Sequence, residues 1–153
     1  MSLWQQYSIQ DFVSFENPTK IFISDCGLFW ESESGLILNR DEQVFFLSKN
    51  TLTEHLCTTS TEQDVLQCFE VYNALCAQEK LIVFSNYGFL FFHVNTGEIQ
   101  VISPQELQTK YNINNHNKPL SQAIIAFSLK GFLLEERTGY RVFSFDGTIQ
   151  KRI

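Results

Sequence analysis

Apolar residues in this chain fall in short runs that stop at glycine-bearing turns, and three stretches share one plan. Each has an apolar strand, Ser-x-x-Gly, a second apolar strand and a turn closing in Ser-Gly or Thr-Gly. The first runs from Ile21 through Ser24 and Gly27 to Ser34-Gly35, the second from Leu81 through Ser85 and Gly88 to Thr96-Gly97, and the third from Ile124 through Ser128 and Gly131 to Thr138-Gly139. A Gly closing a tight hairpin can take positive φ without a Cβ clash, so each unit reads as strands folding back on one another. Alternating strands follow, as in Ile99-x-Val101 and Tyr140-x-Val142, and Asp146-Gly147 marks one more hairpin. The pattern predicts three β-meanders, near residues 20–48, 80–102 and 122–152.

Between the units the period changes. Val65, Cys68, Phe69, Tyr72, Leu75 and Cys76 recur at three and four behind the capping box Ser60-Thr61-Glu62-Gln63, which predicts an amphipathic main helix over 61–78. Ser103-Pro104-Gln105-Glu106 is a second box with Pro at the first helical position, and Thr51-Leu52-Thr53-Glu54 a weaker third. A short helix from Ser8 to Phe15 would end before Pro18, and Asn112 to Asn117 reads as a polar loop. Three meanders interrupted by an 18-residue helix are too few and too irregular to close a propeller. The expected fold is a single α+β domain over 1–153: one large, curved antiparallel sheet built of repeated β-meanders, with helices packed on one face.

Composition agrees with a folded chain. Its 153 residues are 44% hydrophobic and only 18% charged, with 15 Phe, enough apolar material for one sizeable core. The first residues lack a basic, apolar leader and no run of about 18 apolar residues occurs, which points to a cytoplasmic protein without a membrane partner. The net charge of -6 is uneven. Residues 1–104 hold four basic and 13 acidic residues, a balance of -9, whereas residues 105–153 hold seven against four, a balance of +3. Such a field disfavours nucleic acid and favours a basic protein partner.

Candidate chemistry is sparse. Cys26, Cys57, Cys68 and Cys76 form no Cys-x-x-Cys pair and no histidine stands at zinc spacing, so no metal or cofactor is expected. Cys68 and Cys76, eight apart on the expected helix, read as core thiols. His55, His93 and His116 accompany no recognisable nucleophile, and His93 shares a strand face with Phe89 and Phe91. Glu31 and Glu33 would share a face of an extended strand, as an acid and base for glycoside hydrolysis must, but no cleft goes with them; an exposed acidic edge is the plainer reading. No catalytic residues are assigned and the chain is expected not to be an enzyme.

The stretch Lys80 to Ser103, with its apolar strand, Gly-containing turn, aromatic strand and Thr-Gly turn before an alternating strand, resembles the central meander of the SUKH superfamily of bacterial immunity proteins. The resemblance implies a protein that blocks a cognate toxin by binding it. Asp25, Glu31, Glu33, Asp41 and Glu42 are the expected steering charges for a basic, cytosol-acting toxin domain, and Trp30 the expected anchor unless it belongs to the core. The alternative is a cytoplasmic secretion chaperone or adaptor holding an effector segment along a sheet edge or groove.

Overall fold

A computed structural model describes residues 3–8, 18–24, 27–59, 69–113 and 119–153, with the side chains of residues 23, 24 and 57–59 outside the description. Three antiparallel sheets, rather than one, make up these residues. The first has strands β1 (Gln5–Ser8), β2 (Lys20–Ser24), β3 (Gly27–Glu31), β4 (Gly35–Arg40) and β5 (Gln43–Ser48), in the order β1-β5-β4-β3-β2. The second is the meander β6 (Val71–Ala77), β7 (Lys80–Ser85), β8 (Gly88–His93) and β9 (Ile99–Ile102). The third is the meander β10 (Ile124–Phe127), β11 (Gly131–Glu136), β12 (Gly139–Ser144) and β13 (Gln150–Arg152). The meanders lie where the repeat predicts them.

The sheets stack as layers, with the second between the other two. Its Leu81, Val83, Leu90 and Phe92 pack against Phe29, Leu36, Leu38 and Leu47 of the first sheet. The alternate residues Ile82, Phe84 and Phe89 pack against Phe132, Leu134 and Phe143 of the third. Both faces of β7 are therefore buried, which is why Leu81-Ile82-Val83-Phe84 is an unbroken apolar run. Stacked and edge-on rings tie the second interface together: Phe84 and Phe89 lie 4.7 Å apart, Phe89 and Phe132 5.4 Å, and Phe132 and Phe143 5.0 Å between centroids.

Helices occupy the seams between layers instead of covering one face, a correction to the expected arrangement. Helix α1 (Lys49–Thr59) contributes Leu52 and Leu56 to the first interface, while α2 (Pro104–Thr109) and α3 (Leu120–Ala123) contribute Leu107 and Ala123 to the second. The start of α2 is as its capping box foretells: Ser103 Oγ accepts from the Glu106 amide at 3.1 Å and Pro104 opens the helix. Helix α1 begins earlier than the Thr51 box suggests, because Ser48 Oγ caps the Thr51 amide at 3.0 Å. Gln5–Ser8 is strand, where a helix was expected to begin; residues 9–17 lie outside the description.

The main helix over 61–78 is overturned in its described part. Residues 71–77 form β6, paired with β7 across a two-residue turn in which Gln78 and Glu79 both take positive φ, at 52° and 65°. A bulge between Val71 and Asn73 shifts the register, and the extra residue breaks period two, leaving apolar spacings that imitate a helix. Phe69, expected at the centre of the helical stripe, is buried just before β6 and stacks on Tyr87 with centroids 5.9 Å apart. Residues 61–68 lie outside the description. The cysteine reading is corrected as well: Cys76 is disulfide-bonded, its partner sulfur lying outside the described side chains.

The repeated Gly answers to close approach as well as to backbone freedom. A Cβ on Gly88, whose φ is +92°, would lie 2.1 Å from the Ile102 carbonyl oxygen, and one on Gly131, without positive φ, 1.9 Å from that of Phe143. In both units the following strand crosses at this point. The serine before it bonds within the turn, with Ser85 Oγ donating to the Gly88 carbonyl at 3.1 Å and Ser128 Oγ accepting from the Lys130 amide at 3.2 Å.

Two measurements check this account. Gly88→Ala should cost about 3 kcal/mol or more in chemical denaturation, against about 1 kcal/mol for Gly147→Ala, which has positive φ but room for a Cβ; equal costs would refute the close-approach argument. Reduction of the Cys76 disulfide should remove about 2 to 4 kcal/mol. That corresponds to a fall of about 5 to 15 °C in the melting temperature with reductant present, and an unchanged melt would show the bond to be energetically idle.

Candidate protein-binding surface

The six residues expected to meet a partner do not form one patch. Asp25 lies outside the described residues. Trp30, only 7% exposed, packs with Ile37, Val44 and Phe46 on the outer face of the first sheet, so it is core and cannot serve as an anchor. Glu31 is 3% exposed. Its side chain points toward the second sheet, on the same face as Phe29 and Leu36, where it pairs with Lys49 Nζ at 3.2 Å and accepts from the Val71 amide at 3.3 Å. Glu31 thereby ties β3, α1 and β6 together and is neither a steering charge nor an acid or base open to substrate.

Glu33, Asp41 and Glu42 are exposed, but at opposite ends of β4. Glu33 sits in the β3–β4 turn, and Asp41 and Glu42 form the β4–β5 turn. Six residues at about 3.3 Å each place the two ends about 20 Å apart. A partner centred on one end would feel the other only weakly, since charges are screened over about 8 Å at physiological salt.

The Asp41 end is richer than the sequence suggested. Arg40 Nη2 lies 3.6 Å from Glu79 Oε1 in the β6–β7 turn, and Glu79 accepts from Asn95 Nδ2 at 2.5 Å. This small network draws the turns of the first two sheets together. It adds Glu79, and the exposed Glu98 of the β8–β9 turn, to the neighbourhood of Asp41 and Glu42. These four carboxylates outnumber Arg40 and Lys80, so this end is acidic. Neither glutamate carried a local signal, because only the docking of one sheet on the other brings them to the first sheet's turn.

Elsewhere the polar groups serve structure. Asp146 Oδ1 accepts from Ser144 Oγ, Thr148 Oγ1 and the Thr148 amide at 2.6 to 2.9 Å. Those bonds, with Lys110 nearby, hold its carboxyl down at about 2. His93 donates its amide to the Glu98 carbonyl at 2.9 Å, and its ring Nδ1 is buried without a hydrogen-bond partner; His116 lies outside the description. A cavity of about 290 Å3 between the β7–β8 turn, α2 and α3 is lined in part by Tyr72, Ser85 and Gln108. Burial raises the Tyr72 hydroxyl above its usual range, helped by the Glu70 charge and opposed by a hydrogen bond to Ser121. Among the described residues no group of three or more His, Cys, Asp or Glu is arranged to hold a metal, and no helix is long and apolar enough to cross a membrane.

Comparison with known proteins finds no matching family model, no matching curated protein and no matching solved structure. The likeness to the SUKH superfamily therefore stands on residues 80–103 alone. That stretch is the meander β7–β9, although the element before it is strand β6 where a helix was expected.

The role given to Glu31 has a direct test. Removing one partner of a buried ion pair strands the other, so Glu31→Gln or Lys49→Met alone should cost about 2 to 3 kcal/mol, Lys49 being partly solvated. The double variant should cost clearly less than the two together. Additive losses in a denaturant titration would mean that the pair is not coupled.

Proposed function

We propose that this chain is a non-enzymatic binding protein that neutralises a cognate basic toxin, in the manner of the immunity protein of a bacterial toxin system. The observation that carries this reading is the acidic end formed by Asp41, Glu42, Glu79 and Glu98, set on turns held together by the Arg40–Glu79 pair. An acidic rim speeds association with a basic surface and selects against acidic partners, including nucleic acid. Glu33, about one strand length away, is left out of the proposed face, as are the buried Trp30 and Glu31.

Compartment enters separately. A cytoplasmic site of action goes with the immunity reading, and the Cys76 disulfide weighs against it, because reducing compartments rarely keep such bonds. The proposal therefore rests on charge and binding, not on location. The alternative, a secretion chaperone, would hold an extended segment in an apolar groove and would be indifferent to Asp41 and Glu42.

The test is association kinetics with a basic toxin domain captured by the wild-type chain. Asp41→Lys/Glu42→Lys should associate about tenfold more slowly at low salt and lose most of its salt dependence, while Glu33→Lys should behave as wild type. An acidic partner, or equal rates for all three proteins at every salt concentration, would overturn the reading.

A further inference from the structure

Three open sheets leave two edge strands each, and the backbone groups along an edge can pair with another chain unless something blunts them. Strand β13 is only three residues long and carries Lys151 and Arg152, and β10 is interrupted by a bulge at Ile125. Strand β6 has its own bulge at Tyr72, and Lys20 Nζ of β2 donates to the Val71 carbonyl at 2.6 Å, so the edges β2 and β6 lie alongside each other. Strand β1, Gln5-Gln6-Tyr7-Ser8, is short and polar and gives an added strand only the Tyr7 ring to pack on.

Strand β9, Ile99-Gln100-Val101-Ile102, has none of these devices: it contains no charge, no Pro and no bulge. Its hydrogen-bonding phase is fixed by the His93 amide, which donates to the Glu98 carbonyl. Bonded pairs recur at every second residue of an antiparallel ladder. Gln100 and Ile102 therefore bond to Phe91 and Phe89 of β8, whereas the N–H and C=O of Ile99 and Val101 point away from the sheet. These donors and acceptors stand in a row without a partner among the described residues. The side chains beside them are apolar and half-buried, with Ile99 and Val101 at the rim of the first interface and Ile102 at the rim of the second.

We propose that β9 takes up an extended, largely apolar segment of the basic partner as an added strand of the second sheet, an inference that rests on the acidic-end reading for the partner's charge. Continuity and charge argue for this occupant. Strand β9 starts beside Glu98, which belongs with Asp41, Glu42 and Glu79 to the acidic end, and the β8–β9 turn is tied to that end by the bond from Asn95 to Glu79. A segment leaving the basic surface thus meets the edge at once, with a Lys or Arg beside Glu98 and apolar residues along Ile99 to Ile102, where charge is absent. Ser103 caps α2 directly after β9, which limits the added strand to about four residues. Main-chain bonds supply affinity in this mode, and alternate side chains supply selectivity. Residues opposite Ile99 and Val101 would face the first sheet, and the residue opposite Gln100 the third. A second copy of this chain is the poorer occupant, since an edge this short buries too little by itself for a specific dimer, whereas the partner is already held at the acidic end.

The experiment is amide hydrogen exchange by NMR on the isotope-labelled full chain, free and saturated with the basic domain captured by the wild-type chain, together with dissociation kinetics of variants. The Ile99 and Val101 amides should exchange rapidly in the free chain and slow by about tenfold or more in the complex, while those of Gln100 and Ile102, bonded to β8, are slow in both. Val101→Pro removes an outward N–H that the ladder does not use, a position where an edge strand tolerates Pro. It should dissociate about tenfold faster or more while its association keeps the wild-type salt dependence. Gln100→Ala leaves the backbone unchanged and should behave as wild type. An unchanged circular dichroism melt separates loss of the added strand from loss of the fold; should Val101→Pro unfold, Ile99→Pro, at the first residue of the strand, gives the same reading. A Val101 amide that the partner leaves unprotected, or wild-type dissociation for the folded Pro variant, would overturn the proposal and leave the acidic-end reading, which depends on association of Asp41→Lys/Glu42→Lys, untouched. Association indifferent to that double variant, with Val101 protected, would remove the acidic end and leave the added strand standing. Protection of Ile99 and Val101 that grows with the concentration of the free chain would show a second copy at this edge and would also overturn the proposal.

Discussion

Burial of both faces of the second sheet is the constraint on which the rest of this architecture depends. A two-layer protein can leave one side of each sheet polar, whereas a middle layer cannot, and every residue of Leu81-Ile82-Val83-Phe84 must be apolar and of suitable size. The two faces are filled differently. Aliphatic residues dominate on the side toward the first sheet, with Leu81, Val83 and Leu90 meeting Leu36, Leu38 and Leu47. Rings dominate toward the third, where Phe84, Phe89, Phe127, Phe132, Phe143 and Phe145 form a connected cluster. The abundance of Phe in the composition thus has a location, and Tyr111 closes the cluster by donating its hydroxyl to the Phe145 carbonyl.

That same constraint decided what could be read in advance. The meanders were legible because their signals are local: turn glycines, a serine that bonds inside its own turn, and alternating strands after each Thr-Gly. The Ser103 cap and the Asp146-Gly147 hairpin are local too. Strand β6 was not legible, because its bulge at Tyr72 interrupts period two and produced apolar spacings of three and four. The number of sheets was equally hidden, since a strand's apolar residues show that something covers it without showing whether the cover is a helix or another meander.

Charge shows the same division between local and tertiary information. Glu31 and Glu33 look equivalent in sequence, yet one is sealed beneath α1 with Lys49 and the Val71 amide, and the other is exposed in a turn. Their difference comes from residues 18 and 40 positions away, and no pattern within the first meander contains it. Asp41 and Glu42 were readable as exposed because a two-residue turn between strands cannot be covered by its own sheet. Glu79 and Glu98 join them only through the Arg40 link between sheets.

The two apolar interfaces pair corresponding faces of the three meanders, counted from Gly27, Gly88 and Gly131. If a duplicated meander packs best against its own kind, then each added unit must present one face to its predecessor and leave the other for what comes next. The first interface uses the faces of Phe29 and Leu90, and the second those of Phe89 and Phe132. The acidic turns at Asp41, Glu79 and Glu98 lie at strand ends, outside the apolar interfaces, although Glu79 also links the first two sheets through Arg40. Outside the Arg40–Glu79 link, stacking and steering are separated: substitutions on strand faces alter how meanders associate, and substitutions at Asp41, Glu42 and Glu98 alter which charges the stack displays. A fold divided in this way can keep one scaffold while its turns change to suit different partners.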